Sequence, residues 1–307
     1  TISMPSDEII EILDFTRTIN ITNTKDILNA TSKAKKKIKI EKTIWKLVIL
    51  ICTIALVILL YILGNWLLEN KKTTNMINKV YDIAGVKEVE EKTSGKEDES
   101  TVLKTSVTSK TSSIYEKYGN MNAIEVNFDG LRNINPDTVG WIKVEGTKIN
   151  YPFVRASDNE YYLKHSFDKS YNKKGWVFLD YRNDINNISN NTILYAHGLV
   201  NNEMFGSLRR VVKPSWYKNK SNYILSIVTP YKTLKWQVFS SYTIEPESYY
   251  ITTNFQSNEE FDEFINLVKQ RSVYDYGTDV SSSDKILTLS SCYDDKKRMV
   301  LHAKLIR

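Results

Sequence analysis

Cysteine is nearly missing from this chain of 307 residues, which carries two, Cys52 and Cys292. Cys52 sits in a long uncharged apolar run and Cys292 far beyond it, so no disulfide between them is expected. Histidine is almost as scarce, with His165, His197 and His302. Carboxylates are common, yet none are grouped with the spacing of a calcium loop, and neither a metal nor a cofactor is expected. The formal charge is +6, but no basic stripe interleaved with aromatics recurs along the chain, so nucleic acid is not an expected partner. No small-x-small cleavage site closely follows the apolar run, and a long segment precedes it, which argues against a cleaved signal peptide.

The apolar run itself is informative. The 22 residues from Leu47 to Leu68 include no charged side chain. As a helix they reach roughly 33 Å, enough to cross a hydrocarbon core of ~30 Å. Trp45, Tyr61 and Trp66 lie near its ends, where amphipathic rings favour the headgroup level. Lys33, Lys35, Lys36, Lys37, Lys39, Lys42 and Lys46 precede it, whereas Lys71, Lys72 and Lys79 follow. The positive-inside bias then puts the N-terminus in the cytoplasm and the rest of a single-pass membrane protein outside, with lipid as a partner. Four regions are expected: a cytoplasmic tail over 1–46 with a short amphipathic helix at 5–19, a transmembrane helix over 47–68, a flexible extracytoplasmic stalk over 69–111, and a globular domain over 112–307. The stalk is inferred because Lys, Glu, Ser and Thr dominate from Lys87 to Ser109, a composition too polar to offset ordering entropy.

In the globular part, 113–120 and 124–134 read as partly helical. Eight strand-like runs follow, at 140–144, 147–154, 175–180, 192–196, 223–229, 233–244, 285–291 and 298–306. Turn signals such as Glu145-Gly146 and Thr229-Pro230 separate them, and many short strands with few long helices predict a mainly β, α+β domain built on a closed or nearly closed barrel. One helix interrupts the late strands. Ser257 followed by Glu260 forms a capping-box pattern, and Phe261, Phe264, Ile265 and Val268 share one helical face. Its place just before the Cys292 strand suits it to wall a groove.

A lone thiol outside the membrane is buried or used. As a nucleophile it needs a proton carrier and a donor for the oxyanion. His197 ends the β-rich run Thr192-Ile193-Leu194-Tyr195-Ala196, where a strand gives way to a loop at Gly198, and is favoured on that ground. His165 lies among polar residues, as a surface histidine would, and His302 lies mid-strand. Near the cysteine, Lys296, Lys297 and Arg298 crowd one turn. A guanidinium can fork two donors onto an oxygen-rich centre, which favours Arg298.

Thr288-Leu289-Ser290-Ser291-Cys292 resembles the TLxTC signature of sortases, with Ser291 where that family usually carries Thr. The order His197, Cys292, Arg298 is similar to the sortase triad, although six residues make a short connection from Cys292 to Arg298. The 95 residues from His197 to Cys292 leave room for the helical insertion of class B members. Further stretches resemble that class: Gly140-Trp141-Ile142, Asp158-Asn159-Glu160-Tyr161-Tyr162-Leu163, the run from Gly175 to Asn183, the run from Asn191 to Gly198, and Met204-Phe205-Gly206. The resemblance covers residues 112–307. It implies a sortase-like barrel of about eight strands with N-terminal helices, and Cys292 as nucleophile, His197 as general acid/base and Arg298 as oxyanion and substrate ligand. It places Asn159, Leu163, Tyr250, Ile251 and Ser290 along a sorting-signal groove. The implied reaction is transpeptidation without a metal. Secreted proteins bearing a C-terminal sorting signal are cleaved through a thioacyl-enzyme and passed to an amine of peptidoglycan or its precursor. Two alternatives stay open: another extracytoplasmic thiol peptidase, or a membrane-tethered binding module with no enzymatic role.

Overall fold

A computed structural model describes residues 24–89, 123–292 and 297–306. Two compact units divide the chain, Thr1–Leu67 and Leu68–Arg307. The first contains most of helix α1 (Thr24–Ala84). From Leu47 to Leu63 its large apolar side chains are all exposed, and its most apolar window reaches a mean hydropathy of 3.1. Such a surface is unstable in water but suits lipid, and the helix is long and apolar enough to cross a membrane.

The second unit begins earlier than the sequence suggests. Residues 69–84 were expected to open a flexible stalk, but they finish α1. Thr73, Ile77, Val80 and Ala84 are buried along one face of that helix, and Tyr81 sets its ring edge-on to Trp141 at 5.4 Å and donates to the Asn150 carbonyl. Helical spacing of small and apolar residues was hidden among the lysines and asparagines around them. Strand β1 (Lys87–Val89) then pairs antiparallel with β2 (Ala123–Glu125). The compact unit therefore starts at Leu68, not at residue 112. The anticipated helices at 5–19 and 113–120 and the stalk residues 90–111 lie outside the described residues. The partly helical stretch at 124–134 resolves into β2 and helix α2 (Phe128–Ile134), whose cap Asn127 accepts from the Gly130 amide at 2.9 Å.

The eight remaining strands close a barrel. They are β3 (Thr138–Val144), β4 (Asn150–Val154), β5 (Phe178–Leu179), β6 (Asn191–His197), β7 (Ile224–Val228), β8 (Thr233–Ile244), β9 (Ile286–Cys292) and β10 (Arg298–Leu305). Around the barrel the order is β10-β8-β7-β3-β4-β5-β6-β9, with β9 also hydrogen-bonded to β10. Only β4–β5 and β6–β9 run parallel among these pairs. All eight anticipated runs are present. The run at 147–154 loses its first residues to a turn in which Gly146 adopts φ +69°, and that at 175–180 keeps only two residues as strand.

Trp141, Trp176 and Trp236 fill the main core and are fully buried. A second core lies on the other side of the late strands. There helix α3 (Asn258–Gln270) lays Phe261, Phe264, Ile265 and Val268 against Phe239, Tyr242, Ile244 and Val300. β10 is therefore buried on both faces, with Met299, Leu301 and Ala303 in the main core and Val300 in the second. The Ser257 hydroxyl accepts from the Glu260 amide at 3.2 Å, as the capping pattern predicts, but the Glu260 carboxylate returns to the Gln256 amide at 2.7 Å.

Candidate active site

The barrel's pairing brings distant residues into register. β9 lies between β6 and β10, and Cys292 pairs with His197 on the parallel side and with Arg298 on the antiparallel side. Parallel pairing needs a long crossover, and the 95 residues from His197 to Cys292 supply one that contains β7, β8 and α3. Strand ends thus place the three positions side by side. Cys292 is described by its backbone, and residues 293–296, Lys296 among them, lie outside the described residues.

Next to this seam is a cavity of about 350 Å³. Asn159, Leu163, Tyr250, Ile251, Ser290 and Arg298, all singled out from the sequence, line it. So do Phe178, Tyr195, Ala196, Pro246 and Glu247, which were not. Tyr195 and Ala196 carried a usable signal, because they directly precede His197 on the same strand end. Pro246 and Glu247 fall in the loop after β8, where no periodicity marks them.

Local chemistry fixes each wall. The Asp158 carboxylate accepts from the Glu160 and Tyr161 amides, both at 2.8 Å, and starts the short helix Tyr161–Leu163. Those two backbone bonds hold the exposed Asp158 carboxyl below its usual range. The turn presents Asn159 and Leu163 to the cavity, and the Leu163 carbonyl accepts the Nε2–H of His197 at 2.9 Å. A carbonyl only accepts, so Nε2 is the donor nitrogen in this contact. A second wall comes from the short helix Tyr249–Ile251, which supplies Tyr250 and Ile251, and the Tyr250 hydroxyl meets Ser290 Oγ at 3.2 Å. Ser291, which stands where Thr was expected, is buried and donates to the Phe205 carbonyl at 3.4 Å. The hydroxyl contact with the loop after His197 is thus present with serine. Gly206 allows that loop to fold close, since a Cβ there would lie 2.1 Å from the Leu199 carbonyl oxygen.

The other two histidines are placed differently. His165 is half-buried rather than a plain surface residue, stacked on Tyr161 with ring centroids 3.9 Å apart. His302 is wholly buried in the second core and engages Tyr242 and Thr288 through its two nitrogens. Burial drives its pKa down to about 3.

Known proteins agree with this architecture. The sequence model of the sortase domain matches residues 142–306. Sortase B of Staphylococcus aureus is 37% identical over 184 residues, covering 59% of this chain and 75% of that protein. Sortase B of Listeria monocytogenes is 34% identical over 181 residues, covering 57% of this chain and 72% of its own length. Among solved structures, a Staphylococcus aureus sortase B–substrate complex aligns with a TM-score of 0.55 at 37% identity, over 59% of this chain and 84% of the other. Barrel, helical insertion and sequence converge, and the chain belongs to the sortase family, as a cysteine transpeptidase of the class B kind.

Proposed function

We propose that the protein cuts a C-terminal sorting motif of secreted proteins and transfers them to an amino group of peptidoglycan or its precursor. The observation that carries this reading is one cavity, lined by six sequence-predicted residues, beside a seam that pairs His197, Cys292 and Arg298. In the proposed cycle the Cys292 thiolate attacks the carbonyl carbon of a threonine in the motif. A sulfur–carbon bond forms and the tetrahedral oxyanion takes donors from Arg298. As the carbon–nitrogen bond breaks, protonated His197 gives its proton to the departing amine, which leaves with the C-terminal fragment. An incoming amine then attacks the thioacyl carbon and His197 takes its proton. The new amide forms and the thiolate is released. Asn159, Leu163, Tyr250, Ile251 and Ser290 would hold the motif. With the basic segment 33–46 preceding the apolar span, the N-terminus would be cytoplasmic and the barrel outside the cell membrane.

The test uses the full chain in detergent and a peptide library with threonine at a fixed position. Without amine, intact mass should reveal a thioacyl adduct on the parent and none on Cys292→Ala. Adding a cross-bridge peptide with a free amino group should discharge the adduct into a ligated product. An adduct that persists on Cys292→Ala, or a parent that releases only hydrolysed peptide at saturating amine, would contradict the reading.

A further inference from the structure

Asp180, just past β5, is a fully buried carboxylate that the proposed cycle does not use. Its Oδ2 accepts from Asn159 Nδ2 at 3.0 Å and from the Tyr195 hydroxyl at 2.9 Å, and both partners line the cavity. Arg182 grips the same carboxylate in a fork, Nε to Oδ1 at 2.8 Å and Nη2 to Oδ2 at 2.7 Å. The same Nη2 also donates to the Ile251 carbonyl at 2.8 Å, on the wall formed by the Tyr249–Ile251 helix. Asn159 is fixed at its other end too, since its Oδ1 accepts from the Tyr181 amide at 3.0 Å. We propose that Asp180 and Arg182 form a positioning clasp that joins the two walls of the substrate groove and sets its width.

Three features support a clasp over a simple surface ion pair. First, the carboxylate is enclosed. Burial alone would raise its pKa, but the hydrogen bonds from Arg182, Tyr195 and Asn159 outweigh burial and keep Asp180 below the usual carboxylate range. Second, the planar fork leaves one Nη2 proton directed at Ile251, a geometry that a lysine ammonium cannot reproduce. Third, the wall it holds is pinned carbonyl by carbonyl from the same stretch of chain. Asn191 Nδ2 donates to the Tyr250 and Thr252 carbonyls at 3.3 and 2.9 Å, and Arg182 takes the carbonyl between them. Asn191 is buried whereas the Arg182 side chain is 36% exposed, so the middle contact is the one open to solvent and adjustment.

This inference rests on reading the cavity as the peptide groove, and its test separates the two. Arg182→Gln, Arg182→Lys and Asp180→Asn would be made in the full chain in detergent. Without substrate, hydrogen exchange across residues 249–253 should quicken in Arg182→Gln relative to the parent. With a peptide trapped by the parent, KM should rise by about tenfold while kcat stays within a few-fold, because a misplaced wall weakens binding before chemistry. Arg182→Lys should behave like Arg182→Gln, and Asp180→Asn should follow both. Parent-like exchange and KM in Arg182→Gln would overturn the clasp. A lower Tm with unchanged KM, or full rescue by lysine, would overturn it as well. A parent that turns over no peptide would instead sink the functional reading, and the exchange data would still decide the clasp.

Discussion

Burying a histidine ties stability to pH, and His302 shows how. The Tyr249 hydroxyl donates to the Tyr242 hydroxyl, and Tyr242 in turn faces His302 Nε2 at 2.9 Å. Thr288 Oγ1 donates to Asn191 Oδ1 at 2.7 Å, so it receives the Nδ1–H of His302 at 2.8 Å. Both nitrogens are used by the neutral ring, and burial lowers its pKa from 6.5 to about 3. An unfolded chain therefore takes up a proton below about pH 6.5 that the native protein refuses. Stability is complete above that pH and falls as the solution is acidified towards 3, by about 1.4 kcal/mol per pH unit in the middle of the window. Measured between pH 7 and 4, Tm should drop less for His302→Gln than for the parent, although the variant starts lower; equal slopes would contradict the assignment. At Arg298, replacement by lysine keeps charge but loses the fork. Turnover of the trapped peptide should fall on the order of 10²–10³-fold, while Lys297→Ala, at an exposed position, should cost little. The strand end at His197 was legible in the sequence, because the β-rich run breaks at Gly198. Asp180 was not, since an acid closing the apolar run Trp176-Val177-Phe178-Leu179 looks like the start of a turn until its partners Asn159, Tyr195 and Arg182 are brought together.

Helix α3 carries the second core, so its sequence pattern converts directly into stability. Phe261 is buried against Phe255, with stacked ring centroids 4.5 Å apart. Phe261→Ala should cost about 3–5 kcal/mol, and Ser257→Ala, which removes the cap, about 1 kcal/mol, both read by urea denaturation. Equal losses from the two would mean that the helix is held by its cap rather than its face. Strand existence was legible for a similar reason: alternation and turn residues mark each run locally. Strand order was not, because nothing local says that β9 pairs with β6 rather than with β8. The shortening of β5 was equally hidden, since Gly175-Trp176-Val177 is as apolar as a strand, yet the Gly175 and Trp176 amides are spent on the carbonyls of Asn172 and of Tyr162 in the short helix Tyr161–Leu163.

For the molecule as a whole, the unit boundary at Leu68 changes what counts as the domain. A soluble fragment beginning at residue 69 keeps Ile77, Val80, Tyr81 and Ala84 on the barrel, whereas one beginning at 112 loses them together with β1. At ~1.5–3 kcal/mol for each large apolar side chain, the shorter fragment should be less stable by several kcal/mol, and thermal unfolding of the two would show it. Matching midpoints would return residues 69–89 to the role of a tether. The apolar span was legible from composition alone, but the docked turns after it were not, because their buried face is narrow and their exposed face is rich in lysine and asparagine. The late position of β9 in the barrel also bears on timing. Six of the eight staves precede it in chain order, and its parallel pairing to β6 cannot begin until α3 and the strand itself have been made. Contacts so far apart in sequence close slowly. In a growing chain six staves are therefore made before β9, and the Cys292 position can meet the His197 position only once β9 has been added beside β6.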